Sequence, residues 1–166
     1  FLEDNEAYGA IGGDLRLIDR DGERIGRRTY PSTDGGIRRV ILRYNPFAQP
    51  AMMIRRQILI NLDAFHEDMD IGEDYDLMLR VAKEHKVANA DELLTEYRVF
   101  DEQTTTANMK RTIQNTIQIQ RRAIKQYGYE DTWLSWLHRF GLAGCMLLPR
   151  RVVQWLFSTV FIDEAS

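Results

Sequence analysis

The chain has 166 residues, 44% hydrophobic and 28% charged, which is the composition of one globular domain with a proper core. A net charge of −3 gives no electrostatic basis for binding nucleic acid. The single Cys145 excludes an internal disulfide and any cysteine-rich metal site, so a reducing compartment is expected.

The opening "FLEDNEAYGAIGG" reads as a helix end running into a strand. With Phe1 rather than Met at the start, the expectation is a piece of a longer protein whose N-terminal part is missing. In "DLRLIDRDGERIG", Leu15 and Leu17 alternate with polar residues, Asp21-Gly22 forms a turn and Ile25 lies on a return strand, a hairpin pattern. "GGIRRVILRYNP" places Ile37, Val40, Ile41 and Tyr44 on one helical stripe, which must stop at Asn45-Pro46. "PAMMIRR" predicts a short apolar strand, "RQILINLDAF" a short helix and "HEDMDIG" a polar, acidic loop.

From Glu73 to His85 there is no Gly or Pro, and Leu77, Met78, Val81 and Ala82 fall at the spacing of one buried helical face. Asp76 stands four residues before Arg80 and predicts an exposed ion pair, with Glu73 also on the polar side. Asp74 differs: it precedes Leu77 and Met78 by one turn, in line with the apolar stripe. Two readings stay open. Asp74 is a first-turn acid that complements the backbone N–H groups and the helix dipole. Alternatively it is a fixed carboxylate facing a cleft, suited to act as a general base.

"KVANADELLTEYRVF" predicts two short strands with a turn near Asp91. After Gln103 the texture becomes helical. One long amphipathic helix is expected, capped by Thr104 or Thr105, striped by Met109, Ile113, Ile117 and Ile124, and stopped at Gly128. "EDTWLSWLHRFGLAGCMLL" and "PRRVVQWLFSTVF" predict two more helices, with Pro149 suited to a first turn. The fold expected is α/β: a body over residues 1–103, then a helical extension over 104–166.

The order of these features resembles the large bacterial family of inverting nucleotide-sugar glycosyltransferases with the GT-A fold. Its pattern runs Asn-Pro-x-x-His-x-x-x-Met-x-Arg-Arg, a Gly-Gly-Phe/Tyr-Asp/Glu turn, Glu-Asp-Tyr/Phe-Asp-Leu-x-x-Arg, then Tyr-Arg-x-His. Here the matching residues are Asn45-Pro46, Gln49, Met53 and Arg55-Arg56, then Asp63 to Glu67, then Glu73 to Leu77 with Arg80, then Tyr97-Arg98. The match covers about residues 1 to 105. It implies the acceptor-side half of a mixed-sheet GT-A catalytic domain, with a nucleotide-sugar donor and a cell-surface glycan or lipid-linked acceptor. It implies Asp74 as the catalytic base and Glu73 as the neighbour that orients the acceptor or its loop. The loop His66–Gly72 would line the acceptor site, and Gln49 would contact acceptor or donor.

The resemblance also implies a divalent metal, Mn²⁺ or Mg²⁺, whose ligands lie mostly outside this chain. The family's upstream Asp-x-Asp is absent, and Asp19-Arg20-Asp21 reads as a hairpin turn because Gly22 follows. Phe100 stands where many members carry a histidine, and it cannot ligate a metal. His66, His85 and His138 have no ligand spacing. Gln118 to Arg122 lacks the tryptophan of processive synthases, so transfer of a single sugar is expected.

Phe140 to Leu148 is apolar but far short of the roughly 20 residues of a membrane span. Trp133, Trp136 and Trp155 with flanking arginines suit either a helix lying on anionic lipid or helices packed on one another. A cytoplasmic protein is implied, with the inner membrane face as a surface the tail would reach. The rival readings are a non-catalytic transferase-like module that docks through its tail, and a plain α/β domain in which Asp74 caps a helix.

Overall fold

The computed structural model describes residues 1–66, 69–99, 109–148 and 152. Its centre is a mixed sheet built on β1 (Tyr8–Ile18). β2 (Arg24–Arg28) returns antiparallel to β1, pairing Leu15 with Arg28 and Leu17 with Gly26. The turn between them is closed by Asp19, whose Oδ1 accepts the N–H groups of Asp21 at 3.0 Å and Glu23 at 2.9 Å. Asp19 therefore belongs to a hairpin, as expected. The short β3 (Met53–Ile54) pairs antiparallel with Ala10 and Ile11.

β4 (Lys86–Arg98) runs parallel to β1 along its whole length. This corrects the expectation of two strands with a turn near Asp91. The register slips instead: Gly13 pairs with Ala90, Asp14 with Leu93 and Leu15 with Thr95. The extra residues Asp91 and Glu92 are exposed in a bulge, which absorbs polar residues without reversing the chain. Glycine lets the two strands approach so closely. A Cβ on Gly12 would lie 2.3 Å from Asn89 Oδ1.

α1 (Asp34–Val40) starts at Thr33, whose hydroxyl accepts from the Gly36 N–H. It buries Ile37 fully, and Ile41 follows in the turn that leads to Asn45-Pro46. α2 (Arg56–Asn61) and α3 (Glu73–Glu84) follow. α3 is buried almost all round: every residue from Tyr75 to Ala82 is inside. The Asp76–Arg80 pair is therefore buried, not exposed as its spacing alone predicts.

The reason lies in α4 (Met109–Gln126), which closes over the face of α3 that periodicity reads as solvent. Ile119 and Ala123 join Ile37, Leu77, Met78 and Val87 in one core. The Tyr127 hydroxyl donates to Asp76 Oδ1 at 2.8 Å and the Tyr129 hydroxyl to the Leu79 carbonyl at 2.8 Å. α4 ends before Gly128, as expected. Its other apolar side, Ile113 and Ile117, meets Leu142, Ala143 and Met146 around α5 (Trp133–Cys145). α5 opens on Thr132, which accepts from the Ser135 N–H. The expected caps Thr104 and Thr105, the boundary near residue 103, and Phe100 lie outside the described residues, as does the third tail helix apart from Val152.

Candidate functional site

The site begins at the entry to α3. Gly72 has φ +86°, and a Cβ there would stand 2.7 Å from Ile119 Cδ1. Only glycine meets both the left-handed backbone and the close approach of α4. The turn it makes delivers Glu73 and Asp74 into the first turn of α3, both half-buried. Asp74 Oδ2 accepts from Asn45 Nδ2 at 2.9 Å. The other end of that amide, Asn45 Oδ1, accepts the Phe47 N–H at 3.2 Å, an Asx turn ahead of Pro46.

The loop that carries Asn45 is itself pinned to the sheet. Asn89 on β4 is buried, and its Nδ2 donates to the carbonyls of Pro31 at 2.9 Å and Pro46 at 3.0 Å. A chain of support thus runs from β4 through Asn89 and Asn45 to the Asp74 carboxylate.

Burial pushes the Asp74 carboxyl above the ordinary carboxylate range. The Tyr75 N–H and Asn45 pull the other way, and the charge of Glu73 adds to the rise. A second buried acid, Asp14, stands on β1 and accepts the Tyr30 N–H at 3.0 Å. Burial raises its pKa too. The Tyr30 hydroxyl is raised first by burial, with Asp14, Tyr97 and Asp74 contributing, which places it in the field of both acids.

The other residues singled out by sequence are dispersed. Gln49 is exposed at the start of a 3-10 turn, Gln49–Ala51. His66 faces Asp76, with Nε2 3.6 Å from Asp76 Oδ2. Two residues along a helix are about 200° apart, so Asp76 and His66 lie on the side of α3 away from Asp74. Asp76 is instead a structural hub. It is paired with Arg80 at 3.0 Å, while Arg80 ties down the carbonyls of Leu62 at 2.5 Å and Ala64 at 2.6 Å. Asp14, Tyr30 and Asn89 were not singled out by sequence, and Asn45 was read only as a helix stop and a residue of the family pattern. An acid beside Gly12-Gly13 in a strand was the signal for Asp14.

Among the described residues no cluster of three or more His, Cys, Asp or Glu side chains is arranged to hold a metal ion. Asp19 uses its Oδ1 within the hairpin turn. The described residues thus supply no ligand set for the implied divalent metal, whose ligands are expected mostly outside this chain.

The arrangement near Asp74 can do one thing well. It holds a single carboxylate, oriented by an amide and made more basic by burial, where it can take a proton from a hydroxyl. No protein-family model matches the chain, and no curated protein matches it.

Proposed function

We propose that the chain is the acceptor-side part of an inverting glycosyltransferase with the GT-A fold, and that Asp74 is its general base. The observation that carries this is the Asp74 carboxylate itself. It is half-buried in the first turn of α3, raised in pKa and aimed by Asn45. An acceptor hydroxyl gives its proton to Asp74 as its oxygen bonds to the anomeric carbon. The bond to the nucleoside diphosphate breaks on the opposite face, so the configuration inverts. The transition state is oxocarbenium-like, and a placed base typically contributes about 10²–10⁴ in rate.

A second observation supports the resemblance. Where the family pattern carries Gly-Gly, this chain has Asp63 at φ 58° and Ala64 at φ 44°. Both occupy the left-handed region that glycine adopts freely and other residues rarely enter. The backbone at these two positions has the conformation that the family's Gly-Gly would adopt freely.

The substrates proposed are a nucleotide-sugar donor and a glycan or lipid-linked acceptor of the cell surface, with one sugar transferred per encounter. The proposed location is the cytoplasm or the inner membrane face. Among the described residues no helix is long and apolar enough to cross a membrane.

The test is release of nucleoside diphosphate by the intact protein from a panel of donor sugars, with Mn²⁺ or Mg²⁺ and a lipid-extract acceptor. Asp74→Asn is expected to lose about 10²–10⁴ in turnover with the fold retained. Unchanged turnover would leave Asp74 as a helix-end acid and remove the base from the mechanism. A second reading is a non-catalytic module that docks through its tail, favoured by the exposed apolar face of α5. Under it, wild type turns over no donor.

A further inference from the structure

α4 and α5 carry features that proton transfer at Asp74 does not use. α5 turns an apolar stripe outward: Trp133 is 72% exposed, Trp136 58% and Phe140 66%, with Leu137 beside them. These positions recur at three- and four-residue intervals, so they form one continuous face rather than scattered spots. Trp136 and Phe140 are stacked, with ring centroids 5.7 Å apart and planes 15° from parallel.

Next to this face α4 and α5 enclose a groove of about 470 Å³. Trp136 and Phe140 form one wall; Gln114, Gln118 and Arg121 form the other. Arg139 also lines it and is buried. Both Asp131 carboxylate oxygens accept from Arg139 Nη2 at 2.6 Å, but Nη1 has no partner among the described residues. Arg43 Nε and His138 Nδ1 are likewise buried without a partner among the described residues. Burial, then the charges of Arg43 and Arg139, lower the His138 pKa.

The charged side chains that line the groove, Arg121 and Arg139, are both basic, and Asp131 pairs with Arg139. A second copy would bring the same basic groove to a two-fold contact and set like charges face to face. An anionic surface is the complementary occupant. α5 spans 13 residues, enough to lie in a bilayer interface and too few to cross one.

We propose that this surface seats the protein on an anionic phospholipid bilayer. The α5 stripe enters the headgroup layer, while Arg121 and Gln118 on the groove wall receive lipid phosphate. Tryptophan favours that depth, and basic side chains draw the surface to anionic lipid. This surface does not depend on Asp74, so the two proposals fail separately.

The experiment is co-sedimentation of the intact protein with phosphatidylcholine vesicles and with mixed phosphatidylcholine–phosphatidylglycerol vesicles, with tryptophan emission recorded in parallel. Binding to the mixed vesicles is expected, with a blue shift and a loss of binding as salt rises. Trp136→Ser combined with Phe140→Ser should weaken binding roughly tenfold or more, and Arg121→Glu by roughly tenfold on mixed vesicles alone. All three side chains are exposed, so circular dichroism should be unchanged. No binding to either vesicle, or equal binding to pure phosphatidylcholine, would overturn the proposal. So would a wild-type dimer that the double variant abolishes in place of vesicle binding.

Discussion

Asn45 donates from Nδ2 to Asp74 Oδ2 over 2.9 Å, tying the loop after α1 to the first turn of α3. Since Asn45 Oδ1 is held by the Phe47 N–H, both ends of the amide are engaged and the carboxylate has a fixed heading. Asn45→Ala should leave the fold intact but let the carboxylate swing. A misplacement of about an ångström costs on the order of a hundredfold. The expected result is a lower kcat with a nearly unchanged KM. A change confined to KM would mean that Asn45 binds substrate rather than orienting the base.

Asp74 itself gives a sign that separates base from cap. Its folded-state pKa is raised by burial, so the folded chain holds this proton to a higher pH than the unfolded chain does. The contribution of this group to stability therefore falls as pH rises from the ordinary carboxylate range through the raised value. At pH 7 Asp74→Asn should leave Tm unchanged or slightly higher while the rate collapses. A purely capping role predicts the reverse, a loss of about 0.5–2 kcal/mol with the rate retained. In wild type, the acidic limb of kcat/KM should lie above the usual carboxylate pKa.

The buried pair Asp76–Arg80 has structural consequences. Arg80→Met removes the nearest cation from Asp76, leaving it the Tyr127 hydroxyl and Arg122 at 4.0 Å, and releases the carbonyls of Leu62 and Ala64. Removing one partner of a buried pair costs about 3–5 kcal/mol. For a chain of this size that is a fall in Tm of roughly 10 °C by calorimetry. Arg80→Lys should recover little, because an ammonium cannot reproduce the three-way guanidinium fork.

Ala64 sits at φ 44° with an ordinary side chain. Left-handed backbone costs about 1–2 kcal/mol for such a residue, so Ala64→Gly should stabilise the chain by about 1 kcal/mol. That corresponds to a rise in Tm of about 2–4 °C. A fall in Tm would show that the methyl group packs usefully and outweighs the backbone strain.

Local punctuation made much of this chain legible from sequence. The hairpin at Asp21-Gly22, the stop before Gly128 and the entry to α3 after Gly72 all follow from backbone sterics at single residues. The in-line position of Asp74 follows from helical arithmetic. Periodicity says which side chains share a face; it does not say what lies opposite. Only the tertiary structure buried Asp76 and Arg80, because α4 arrives from a distant part of the sequence to cover them. Only pairing with β1 made Lys86–Arg98 one bulged strand, since a parallel neighbour stabilises what Asp91 and Glu92 alone would interrupt. The aim of the Asp74 carboxylate was likewise decided by Asn45 and Asn89, which come from segments far from it in the chain and become its neighbours only when the sheet and helices close together.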